Sequence, residues 1–177
     1  MPVLDDFEDG SSPEWDDQVG SFSTVTSPVF QGQYAYKKSG GGNALTISTS
    51  GLPDYPEQGD TYYAWLHDDG DGIPEALFGV QNDSSYYSLT VIPDGDEIRI
   101  RKETTDLATA SASLSPGQGY VCRLQWGTDG SMTFDVFEDT DTDLSNSLGA
   151  ATAPDHSSTS GGIGLPDGRE GGGGVID

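Results

Sequence analysis

A chain of 177 residues with 30 acidic against 7 basic side chains carries a formal charge of −23, which excludes a nucleic-acid backbone and an anionic membrane surface as partners. Hydrophobic residues make up 33% of it, and 25 glycines and 10 prolines are dispersed among them; with no collagen-like period, this fits one β-rich domain over 1–177 with many turns. The single cysteine, Cys122, excludes an internal disulfide, and no run approaches the ~18 apolar residues of a membrane-spanning helix.

Disorder is the usual correlate of such acidity. Here, however, apolar and polar residues alternate in short runs broken by turn signals about every 10–12 residues, the pattern of a β-sandwich. The first predicted strand is 3–10, in which Val3, Leu4 and Phe7 alternate with acids before the break at Gly10. A turn and an isolated Trp15 follow, then short strands at 22–25 and 29–30 separated by Ser27-Pro28, and further strands at 34–38 and 44–48. The segment 51–56 holds two prolines and reads as loop.

The strand 60–67 is among the strongest, with Tyr62, Ala64 and Leu66 on one face and Tyr63, Trp65 and His67 on the other. Asp68-Asp69-Gly70-Asp71-Gly72 is an acidic turn; it lacks the D-x-D-x-D-G spacing and the following Glu of a calcium loop. Strands at 75–82 and 86–92 pair across Asn82-Asp83-Ser84-Ser85, and Pro93-Asp94-Gly95-Asp96 has tight-turn chemistry. In 97–103, Ile98 and Ile100 point inward and Arg99 and Arg101 outward. A small-residue strand at 105–114 precedes a hairpin of 119–127 with 131–138, in which Cys122, Trp126 and Phe134 read as core. Strands at 145–151, 161–165 and 175–176 close the chain. About a dozen strands in one antiparallel sheet would curl or split into two packed sheets. The expected fold is therefore all-β, a two-sheet antiparallel jelly-roll sandwich with no major helix, whose first and last strands lie side by side.

Order and spacing carry a family resemblance. DDFEDG followed by Trp15, then QGQYAYK, GDTYYAWL, LFGVQ with YYSLTV, YVCRLQW with DGSMTFDVFED, and GGIGL with GGVID resemble concanavalin A-like and laminin G-like jelly rolls, among them the acidic members of haloarchaea and haloarchaeal tailed viruses. The resemblance implies a structural calcium ion held by an acid of the first strand, a carbonyl near 36–37 and an acid of the last strand. Here those acids are Asp6 or Glu8, and Asp177; the rival account is a solvated acidic surface adapted to high salt. It also implies glycan contact through exposed aromatic rings, for which Tyr63, Trp65 and Tyr86 are the candidates.

No enzyme is expected. Glucanases on this fold align three carboxylates of an E-x-D-x-E strand on one face, whereas Asp135 and Glu138 are spaced to point to opposite faces. Neither His67 nor His156 has a nucleophile partner in a recognisable motif. There is no basic, apolar leader of a secretory signal. These features together suggest a halophilic virion protein made in the cytoplasm, a capsid turret, decoration or tail-associated domain. It would assemble as a homo-oligomer with other virion proteins and touch host surface glycans. The alternative is a carbohydrate-binding module of a haloarchaeal protein.

Overall fold

The computed structural model describes residues 7–20, 22–38, 44–68, 73–154, 157–166 and 174–176. In chain order the strands are β1 (Asp16–Val19), β2 (Phe22–Val25), β3 (Ala35–Lys38), β4 (Leu45–Ser48), β5 (Thr61–Asp68), β6 (Glu75–Asn82), β7 (Ser85–Ile92), β8 (Glu97–Lys102), β9 (Thr105–Ser111), β10 (Gly119–Trp126), β11 (Ser131–Glu138), β12 (Gly149–Pro154), β13 (Gly162–Pro166) and β14 (Gly174–Ile176). One 3-10 turn, Pro93–Gly95, lies between β7 and β8. The first sheet has the order β1-β4-β13-β6-β7-β8-β9 and the second β12-β11-β10-β5-β14-β3-β2. All pairings are antiparallel, and the expected two-sheet jelly-roll sandwich is what forms.

The alternation read in the sequence sets the faces. Tyr62, Ala64 and Leu66 of β5, Cys122, Leu124 and Trp126 of β10, and Phe134 and Val136 of β11 turn inward. They meet Phe78, Tyr87, Leu89, Val91, Ile98 and Ile100 of the first sheet in one core. Apolar area removed from water at roughly 25 cal/mol per Å² is what holds the two sheets together.

The last strand, β14, lies between β5 and β3 in the second sheet. Part of the predicted first strand, 3–6, lies outside the described residues; its described end is a turn. Gly10 N donates to the Phe7 carbonyl at 2.9 Å, and Ser11 N and Oγ both donate to Asp9 Oδ1. Phe7 takes a left-handed φ of 55° and drops its ring into the core against Tyr36, with centroids 5.1 Å apart and nearly parallel. Of the last strand, Val175 and Ile176 of β14 pair with β5 on one edge and with β3 on the other.

Two other strands shifted. Residues 29–30 are loop, because the side chain of Phe30 is drawn to a ring of β5 and not to a ladder partner. The predicted 145–151 strand begins only at Gly149, where pairing with Val136 starts. β1 has no counterpart among the predicted elements; its pairing with β4 supplies the ladder that its polar sequence does not announce.

Burial of the Cys122 thiol and of the Tyr62 phenol raises both above their ordinary values of 9.0 and 10.0, the Tyr62 group also feeling Cys122 beside it. In the unfolded chain these groups ionise near their ordinary values, while the folded chain keeps both protons. The stability they report is thus complete below about pH 9 and lost as the pH rises above it. Unfolding free energies from urea titration at fixed molar salt are expected to hold from about pH 7 to 8.5, then to fall by on the order of 3–4 kcal/mol at about pH 11. A flat profile would mean that neither group is enclosed.

Candidate saccharide-binding face

The outward residues of the second sheet form rows, because neighbouring strands lie about 4.8 Å apart and every second side chain shares a face. The register places Thr61, Gln125, Thr133 and Thr152 in one row across β5, β10, β11 and β12. Tyr63, Arg123, Asp135 and Ala150 form the next row, and Trp65, Val121 and Phe137 the third.

The first row is uncharged. Gln125 and Thr152 are exposed, and the Thr133 and Thr152 hydroxyl oxygens lie 3.4 Å apart. In the second row, Arg123 donates from Nε at 3.2 Å and from Nη2 at 3.0 Å to Asp135 Oδ2. Its guanidinium also sits 4.8 Å from the Phe137 ring centre. Asp135 is buried, so this pair is a shielded ion pair that fixes both heads in place. The half-buried Tyr63 ring flanks it. Nothing in either strand alone marks this pair. The available signal was opposite charges at positions that face each other across the hairpin between β10 and β11.

The third row is an apolar patch of its own. Trp65, Val121, Phe137 and Ala35 pack together, with Val25, Val29, Tyr63 and Leu144 against them. Phe30, 36% exposed, stacks on Trp65 at 5.9 Å and 16° between planes. His67 is tilted against the same indole at 5.5 Å. Gly119 of β10 makes room for it: a Cβ there would come within 2.7 Å of Trp65 Nε1 and would also collide with the Asp139 carboxylate. Trp65 Nε1 and His67 Nδ1 are buried without a hydrogen-bond partner among the described residues.

Charge distribution sets this face apart. The chain has 30 acids, yet among the described residues of these strands Asp135 is the one carboxylate that faces outward, and Arg123 neutralises it; one residue past β11, Asp139 adds a second carboxylate at the edge of the face beside Gly119 and Trp65.

Of the rings proposed for glycan contact, Tyr63 is half-buried on this face. The expectation of exposure fails for the other two. Trp65 is 3% exposed because it packs with Ala35, Val121 and Phe137, with Val25, Val29, Leu144 and the stacked Phe30 ring against them, and Tyr86 is 8% exposed because it packs with Ile47, Leu77 and Val80 on the outer side of the first sheet. Tyr86 is therefore on the opposite side of the sandwich from Tyr63 and Trp65.

Of the residues expected to hold calcium, Asp6 and Asp177 lie outside the described residues. Glu8 is described: its Oε1 accepts from Gln33 N at 2.7 Å and Tyr34 N at 3.1 Å, which fixes the turn before β3. Among the described residues, no three His, Cys, Asp or Glu side chains come together as a metal-binding group. Asp135 and Glu138 do not form a carboxylate pair. Asp135 faces outward on Arg123, and Glu138, opposite Tyr120 in the ladder, falls on the other side.

The chain matches no protein-family model and no curated protein. Solved structures share its architecture. A carbohydrate binding module from Bacillus subtilis superposes with a TM-score of 0.66 at 15% identity, over 93% of this chain and 92% of that one. A legume lectin-like domain from Entamoeba histolytica gives 0.55 at 12% identity, over 99% and 95%. A protein of unknown function from Shewanella oneidensis gives 0.52 at 13% identity, over 94% and 80%. At these identities the likeness is one of fold, that of the jelly-roll sandwiches of carbohydrate-binding and lectin-like domains.

Proposed function

We propose that this chain is a binding domain, not an enzyme, and that it holds neutral saccharides on the outer face of the second sheet. The observation that carries this reading is the near-absence of acid from that face in a chain of charge −23. A surface selected only for solubility in salt would have carboxylates there as elsewhere. What stands there instead suits sugar hydroxyls: Thr and Gln donors and acceptors in a row, and an Arg–Asp pair with its geometry fixed. The Tyr63 ring offers a flat apolar face to the C–H side of a pyranose. The negative field of the rest of the molecule disfavours uronates and sulfated glycans.

Calorimetric titration in molar potassium chloride with neutral gluco-, manno-, galacto- and fructo-oligosaccharides tests this. One class is expected to bind, and Tyr63→Ala or Gln125→Ala to weaken it about tenfold, the effect of one lost contact of about 1.4 kcal/mol. Binding unaffected by either substitution would place the site elsewhere.

The same face supports a second reading, a virion protein whose acid-poor side contacts neighbouring copies or other virion proteins. Charge depletion is what interface cores share with glycan faces. Sedimentation as a stable oligomer in molar salt, with Gln125→Lys dissociating it, would favour that reading.

A further inference from the structure

Trp65 has the features of a sugar platform, yet it is covered. Its indole lies over Gly119, where no side chain intervenes, and packs among Val121 and Phe137. Its Nε1 is a buried donor with no partner among the described residues, and the Asp139 carboxylate lies beside the same glycine. A donor and an acceptor side by side at the edge of a flat ring are what a sugar hydroxyl needs, since it accepts from one and donates to the other. The ring on top is Phe30, nearly parallel to the indole at 16°. Phe30 belongs to the loop between β2 and β3 and, apart from Val19, is the one large hydrophobic exposed among the described residues.

From this arrangement we infer that the covered face of Trp65 is a second subsite of the saccharide site, and that Phe30 is a lid displaced by a neutral pyranose. The inference rests on the saccharide reading of the face and extends it along β5 from Tyr63 to Trp65. Phe30 occupies the place of the sugar ring in the free protein. The apparent affinity is then the intrinsic affinity multiplied by the fraction of molecules in which the lid is open. An aromatic stack of ordinary strength sets that reduction at about three- to tenfold.

The test is Phe30→Ala in the full chain, with Phe30→Leu as a milder second variant and thermal melting as the check on folding. Acrylamide quenching is expected to rise, because Trp65 becomes accessible while Trp15 and Trp126 stay in the core. In the same oligosaccharide titration, Phe30→Ala is expected to bind about three- to tenfold more tightly than the parent. Affinity that is unchanged or weaker, in a parent that binds and responds to Tyr63→Ala, overturns the lid and leaves the face reading standing. If neither protein binds any of the four classes, the face reading falls and the inference falls with it.

Discussion

Transfer from about 1 M salt to about 0.01 M is expected to unfold this protein. With 30 acids against 7 bases, the net charge of −23 repels itself more strongly in the compact state than in the expanded one. Spread over a sphere of this chain's size in water, that repulsion disfavours folding by on the order of 10–20 kcal/mol more when the Debye length is about 30 Å than when it is about 3 Å. Ordinary domains are stable by only about 5–15 kcal/mol, so the difference decides the outcome. The acid-poor outer face of the second sheet sharpens the effect, because it confines the carboxylates to the remaining surface. Circular dichroism and tryptophan emission along a potassium chloride series would show it. Sodium and potassium should serve equally if screening is the cause. A melting temperature that does not move between the two salt levels would refute the account. At low salt, lowering the pH toward the ordinary carboxylate range near 4 should partly restore the fold, since protonation removes the repelling charges.

The strands were legible wherever alternation was supported on both sides. In β10 and β11, nearly every second residue is a large hydrophobe, and their predicted hairpin formed with the same inward set, Cys122, Trp126 and Phe134. The period-2 reading of β5 correctly separated Tyr62, Ala64 and Leu66 from Tyr63, Trp65 and His67. It could not tell that the outer ring Trp65 is covered, because the cover comes from Val25, Val29, Phe30 and Leu144, residues distant from it in sequence. The same limit applies to Tyr86 and Tyr87. Adjacent strand residues face opposite ways, and both became buried, Tyr87 in the central core and Tyr86 in a patch with Ile47, Leu77 and Val80. The first predicted strand lies mostly outside the described residues; the turn chemistry of Asp9-Gly10-Ser11, which marks its expected break, is seen at its described end. The charge-poor face was invisible in composition, since it is a property of which alternate residues point the same way.

Removing the Trp126 side chain is expected to be the most damaging single substitution in the core. Trp126 sits at the end of β10 with 1% of its surface exposed. It bridges the two sheets edge-on, to Phe78 at 5.4 Å and 82° and to Tyr87 at 6.0 Å and 76°. Gly79 accommodates it: this residue has a φ of 59°, and a Cβ there would stand 3.2 Å from the indole Cη2. The surrounding backbone is fixed as well, with Trp126 N donating to the Asp60 carbonyl and Gly59 N to the Trp126 carbonyl. Such a site cannot collapse easily around a truncation, so Trp126→Ala is expected to cost about 3–5 kcal/mol. At the size of this chain that corresponds to a melting temperature lower by roughly 6–20 °C at fixed molar salt. Trp126→Phe should cost less, about 1–2 kcal/mol, because it keeps one ring in the seam and removes an indole N–H that has no partner among the described residues. Urea denaturation at constant salt measures both. If the alanine variant loses less than about 1 kcal/mol, the seam around Trp126 is not where the sheets are held. If phenylalanine costs as much as alanine, the edge-on contacts of the indole, and not its volume, hold Phe78 and Tyr87 in place.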